Sequence, residues 1–126
     1  MGMKSKRKGA GYEREVAAVL RNHGYDARRT AQYCGNTGDA SDVVGLPYVH
    51  IECKRYANRA FDYDWIEQAK RDSIEASKKT GSDHYDIPIV IHRTDNHKSL
   101  VTLYLDDFMD IYREYEAGID LDQRQV

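Results

Sequence analysis

The chain has 126 residues, 40% hydrophobic and 32% charged, which suits one domain with an ordinary core and excludes disorder of the whole chain. No apolar run approaches the roughly 20 residues of a bilayer span, and the basic start has no apolar segment behind it, so neither a membrane-spanning nor a secreted protein is expected, but a cytoplasmic one. The net charge of −2 hides an asymmetry: residues 1–60 hold 11 Lys/Arg against 6 Asp/Glu, and residues 61–126 hold 8 against 15, so the first half could face a polyanion.

In chain order, residues 1–8 carry Lys4, Lys6, Arg7 and Lys8 without a large apolar residue after Met3, which predicts a flexible basic arm. Val16, Ala17, Val19 and Leu20 recur at helical spacing and predict a helix over 12–22, stopped by His23-Gly24. A short strand over 26–32 is followed by a loop over 33–39 with Gly35, Asn36 and Gly38. Residues 40–45 and 48–54 read as extended, separated by a turn at Leu46-Pro47. A second helix capped by Asp64, with Glu67 three residues on, has Trp65, Ile66, Ala69 and Ile74 as its apolar side and Gly81 as its stop. Residues 87–92 and 100–105 read as a strand pair joined through Asp95-Asn96-His97. A last helix starts at Asp106 or Asp107, packs through Phe108, Met109, Ile111, Tyr112 and Tyr115, and ends near Gly118, leaving a polar tail at about 119–126. The expected fold is a single mixed-sheet α/β or α+β domain over 1–126. Cys34 and Cys53 form neither a disulfide framework nor a zinc-like cluster.

Chemistry enters through alternation. Over residues 48–54, Glu52 and Lys54 share one face of a strand while Ile51 and Cys53 share the other. A hairpin centred on Pro47 pairs residues whose numbers sum to about 94, which sets Asp42 opposite Glu52. Two adjoining carboxylates repel and need a cation, and hard oxygen donors favour Mg²⁺ or Mn²⁺ over zinc. Lys54 cannot ligate but can stabilise a phosphate oxygen, which outlines phosphodiester hydrolysis. The plainer alternative is an exposed Asp/Glu/Lys patch on an edge strand. Glu13 heads the stripe formed with Val16, Ala17 and Leu20, either as a further site carboxylate or as a residue favoured by the helix dipole.

The run Arg7-Lys8-Gly9-Ala10-Gly11-Tyr12-Glu13-Arg14-Glu15, followed by Ser41-Asp42-Val43-Val44-Gly45 and Ile51-Glu52-Cys53-Lys54, resembles the archaeal-type Holliday-junction resolvases of the PD-(D/E)XK nuclease superfamily. The later run Glu67 to Asp72 resembles resolvase-like proteins of phages and prophages. The resemblance implies a restriction-endonuclease-like fold, a central mixed β-sheet flanked by helices, and a homodimer that cuts symmetric strands of branched DNA. It implies that Asp42 and Glu52 ligate Mg²⁺ (Mn²⁺ substituting), with the Cys53 carbonyl as a further ligand. Lys54 then orients or activates the attacking water, and Glu13 completes the site, directly or indirectly. Arg14 and Arg29 match positions that contact phosphate. The superfamily's proline before the first carboxylate is replaced by Ser41.

The expected function is therefore a metal-dependent, structure-selective DNA endonuclease acting on four-way junctions, with no small-molecule substrate and no membrane partner. Lys6, Arg7, Lys8, Arg14, Arg28, Arg29, Arg55 and Arg59 are expected on the DNA backbone and Tyr33 as a further contact. Gln68 could hold a water or phosphate from the second helix, or simply be an exposed polar residue. Asp39 could assist a second metal or serve a turn, and His50 reads as a structural partner of the acidic site. Tyr104, Tyr112 and Tyr115 are expected in the core. Alternatives are a restriction-like, nicking or flap nuclease of the same fold, or a non-catalytic nucleic-acid-binding module.

Overall fold

A computed structural model describes residues 3–30 and 41–124, with side chains from residue 9 onward. Its elements are α1 (Met3–Asn22), β1 (Arg28–Arg29), β2 (Val43–Val44), β3 (Val49–Tyr56), α2 (Tyr63–Thr80), β4 (Ile87–Thr94), β5 (Leu100–Thr102) and α3 (Leu105–Arg124). The strands form one sheet in the order β1-β2-β3-β4-β5, with β3 and β4 parallel and the other neighbours antiparallel. This is the mixed α/β architecture that the element order implied.

Parallel strands need a crossover, and α2 supplies it between β3 and β4. The crossover places α2 on one face of the sheet, where Trp65, Ile66 and Ala69 pack on Val90. On the opposite face α1 contributes Tyr12, Val16 and Ala17 to a core with Val43, Ile51, Ile89 and Ile91. Because β4 is covered on both faces, it reads as a continuous apolar run and not as an alternation. Pro88 is tolerated inside it because the β5 ladder reaches only Val90 to His92, leaving no strand among the described residues to receive an N–H from residue 88 on that side.

Several boundaries differ from the sequence expectation. Helix α1 begins at Met3, so the backbone of residues 3–8 continues the helix where an irregular arm was expected; Gly9 and Gly11 do not interrupt it. The α2 cap is Asp62, not Asp64: its side chain accepts the Asp64 N–H at 2.9 Å. Gly81 ends α2 as expected, in the left-handed conformation at φ 73°. Helix α3 begins at Leu105, which puts Asp106 and Asp107 in the first turn, and it runs through Gly118 to Arg124 where a frayed tail was expected. Its first-turn carboxylates favour the positive end of the helix dipole. Strands β1, β2 and β5 are shorter than expected, since only the residues that meet a partner complete a ladder. The loop residues Tyr33, Cys34 and Asp39, and the side chains of Lys6, Arg7 and Lys8, lie outside what is described.

The turn between β2 and β3 rests on Gly45 at φ 104°. A Cβ at this position would overlap the backbone carbonyl of Asp26, so the turn and the segment before β1 approach more closely than any other residue permits. Gly45→Ala is expected to destabilise the fold by about 2 kcal/mol or more, read as a lowered midpoint in urea denaturation; an unchanged midpoint would show that the turn relaxes freely.

Candidate active site

The ladder between β2 and β3 pairs Val43 with Ile51, the register in which Asp42 lies across from Glu52. Asp42 stands one residue before β2, at a bend. Its N–H donates to the Ile51 carbonyl at 2.8 Å, and its Oδ2 accepts the Cys53 backbone N–H at 2.9 Å. Glu52 is 6% exposed and faces α2, because its partner across the parallel ladder is Val90. Lys54, two residues along the same face, holds its Nζ 3.9 Å from Glu52 Oε1. The patch is therefore recessed, not the exposed edge-strand cluster of the plainer reading.

Glu13 arrives from α1, 6% exposed, and accepts a hydrogen bond from Arg29 Nε at 2.5 Å. Its charge is felt by both Asp42 and Glu52. The structure thus brings Glu13, Asp42, Glu52 and Lys54 together from α1, the start of β2, and β3. Arg29 turns inward onto Glu13, Arg55 lies against Asp95 at 3.2 Å, and Arg59 covers the Tyr56 ring and pairs with Asp62 at 2.8 Å. Arg14 and Arg28 are exposed, on α1 and β1. Gln68 is half-buried on α2. Glu15 is exposed and pairs with Arg93 at 2.9 Å.

Asp72 is a member of the cluster that sequence reasoning missed. His50, Glu52 and Asp72 each offer a ligand atom, all lying within 4.8 Å of one another, and Asp72 raises the carboxyl of Glu52. The signal that could have found it is spacing: Asp72 falls seven residues after Trp65 and three after Ala69, on the buried stripe of α2.

Burial is the main cause that pushes both Asp42 and Glu52 above the ordinary carboxylate range; the Cys53 N–H works against it at Asp42, and the charge of Asp42 adds to it at Glu52. Burial likewise pushes the Cys53 thiol up, which keeps it neutral and unreactive. Carboxyls raised on folding bind more protons in the native than in the unfolded chain. Their contribution to stability is complete at low pH and is lost as pH rises through the native values. In cation-free protein, melting temperature is expected to fall as pH rises from about 4.5 toward 8, and Glu52→Gln is expected to flatten that fall. Parallel curves for the two proteins would show that Glu52 does not carry it.

The same architecture occurs in a solved structure of Hjc, a Holliday junction resolvase from the archaeal hyperthermophile Archaeoglobus fulgidus, which matches with a TM-score of 0.50 at 20% identity. The match covers 73% of this chain and 72% of that chain, and it shows the restriction-endonuclease-like fold. No curated protein matches the sequence. Residues 4–123 match the family described as "Phage putative PDDEXK endonuclease", and the chain belongs to that phage PDDEXK endonuclease family.

Proposed function

We propose that this endonuclease is metal-dependent and structure-selective, and that it hydrolyses phosphodiesters in two opposed strands of branched DNA as a homodimer, in the manner of a Holliday-junction resolvase. The observation that carries the reading is the meeting of Asp42 with Glu52 across the β2–β3 register, with Lys54 at 3.9 Å. The donor set fits a hard divalent cation: the half-buried carboxyl of Asp42 and the buried one of Glu52, both raised mainly by burial, beside a backbone carbonyl at Cys53, with a thiol that stays protonated. Asp42 and Glu52 would hold Mg²⁺, or Mn²⁺ in its place, which when bound supplies Lewis-acid stabilisation of the phosphate charge.

The chain's own residues divide the remaining work. The Cys53 N–H fixes the Asp42 carboxyl, so one donor is preorganised. Lys54 presents an ammonium that offsets charge developing on the phosphate oxygens and orients the attacking water. Glu13, oriented by Arg29, borders the site as an indirect participant. Exposed Arg14 and Arg28, with Lys6, Arg7, Lys8 and Tyr33, serve the DNA backbone, while Arg55 and Arg59 would have to leave Asp95 and Asp62 to do so. Gln68 is a secondary candidate for holding a water beside the phosphate. The Hjc neighbour is itself a resolvase, which favours junction cutting over restriction-like or flap cutting, and a two-fold substrate calls for two sites related by two-fold symmetry.

Purified protein incubated with labelled four-way junction and matched linear duplex, with Mg²⁺ and with EDTA, is expected to give paired cuts in the junction only, and only with the metal. Asp42→Asn should lower cleavage by at least about 10²-fold while junction binding in a gel-shift assay is kept. Equal cutting of duplex would make the protein a general nuclease, and equal loss of binding and cutting would make Asp42 structural. Removal of residues 1–8 is expected to weaken binding and to flatten its salt dependence by about 0.9 in log–log slope for each phosphate that these residues neutralise; an unchanged slope would exclude these lysines and Arg7 from the DNA.

A further inference from the structure

Helix α3 is 20 residues long, about 30 Å, and buries none of them. Leu105, Phe108, Tyr112, Tyr115 and Ile119 recur in steps of three and four and are 39% to 72% exposed. The expectation that Tyr112 and Tyr115 pack in the core is thereby corrected: the helix that carries them leaves the domain surface. A helix packed on a core buries its stripe; a stripe of period 3.5 left uncovered is the seam of a helix that pairs with another helix. Of the nine charged residues on α3, all but Glu116 and Asp122 fall at positions pointing away from that seam.

We infer that α3 joins two copies of this chain, the helices antiparallel about a two-fold axis passing near residues 113 and 114. This rests on the homodimer proposed above and assigns its surface. The stripe from Phe108 to Ile119 reversed upon itself is self-complementary: Phe108 of one copy meets Ile119 of the other, and Tyr112 meets Tyr115, as an isologous contact requires, while Leu105 falls opposite Asp122 at the rim. Charge selects the direction. Asp106, Asp107 and Asp110 crowd the start of the helix; a parallel pair stacks the acidic turns side by side, whereas an antiparallel pair sets them at opposite ends and aligns the helix dipoles favourably. Area agrees. The seven large apolar side chains on the seam and its flanks, Leu105 to Ile119, each 36% to 72% exposed, present on the order of 600 Å², at the top of the range for the largest patch of a monomer and approaching the roughly 800 Å² per partner of a stable interface.

The test is sedimentation equilibrium of the full chain at micromolar concentration. The wild type is expected at twice 14.5 kDa. Phe108→Glu and Tyr115→Glu should each weaken self-association at least about 100-fold, giving a single-chain mass, while Ala117→Glu on the outward side leaves it unchanged. Since α3 buries nothing in the monomer, far-UV circular dichroism of the variants should keep the wild-type helix content of the domain; a variant that loses it is replaced by Tyr112→Ala, which removes a seam side chain without adding charge and should weaken association in the same direction. A monomeric wild type, or Glu variants that associate as tightly as wild type, would overturn the assignment. Junction cleavage by the same samples separates the two readings: a dimer through α3 that cuts nothing overturns the nuclease proposal alone, and a wild type dimerising elsewhere that cuts junctions overturns the α3 proposal alone.

Discussion

One backbone hydrogen bond donated to a side chain organises the candidate site: the Cys53 N–H to the Asp42 carboxyl at 2.9 Å. It closes the end of the β2–β3 pair, where the ladder proper pairs only Val43 with Ile51. A strand alternates faces with a period of two, so slipping this register by one residue would turn Glu52 and Lys54 onto the α1 core and bring Ile51 and Cys53 to the α2 face. The slip would bury charge against apolar side chains. The turn through Gly45 and Tyr48, both at positive φ, sets the length of the connection and therefore the register. The placement of the candidate site's side chains and the packing of the core are thus one constraint.

That constraint carries an electrostatic cost. Asp42, Glu52, Asp72 and Glu13 crowd a region where Glu52 and Glu13 are only 6% exposed. Lys54 and Arg29 offset part of the repulsion, and the remainder shows as carboxyls driven upward by burial and by one another. A fold that needed only stability would replace such a set with apolar residues, since buried charge is retained at a loss. The arrangement instead suits a function in which a divalent cation and a phosphate bring the compensating charges.

The charge asymmetry of the chain has a structural counterpart. The acidic second half ends in α3, whose nine charged residues include seven carboxylates, and the helix stands clear of the sheet. The basic first half holds α1 and β1, at the edge where the candidate site lies. Nucleic acid and a protein partner would therefore be met by different parts of the surface. Internal ion pairs temper the basic side: Arg29, Arg55 and Arg93 each lie on a carboxylate of the same chain.

Local pattern alone was enough for the existence and type of each helix and strand, for the Gly81 stop, and for the pairing of Asp42 with Glu52, because period-two alternation and a turn centre are short-range properties written in consecutive residues. The convergence of Asp42, Glu52 and Lys54 was legible for the same reason, the three lying within 13 residues. Tertiary structure decided the rest. Asp72 joins Glu52 only because α2 crosses over β3 and β4. Arg29, Arg55 and Arg59 turn onto Glu13, Asp95 and Asp62, pairings whose geometry no local pattern encodes. The apolar stripe of α3 was visible as a stripe, but whether it faces a core or nothing depends on where the chain leads the helix after β5, and burial is a property of the neighbours a residue acquires, not of the residue itself.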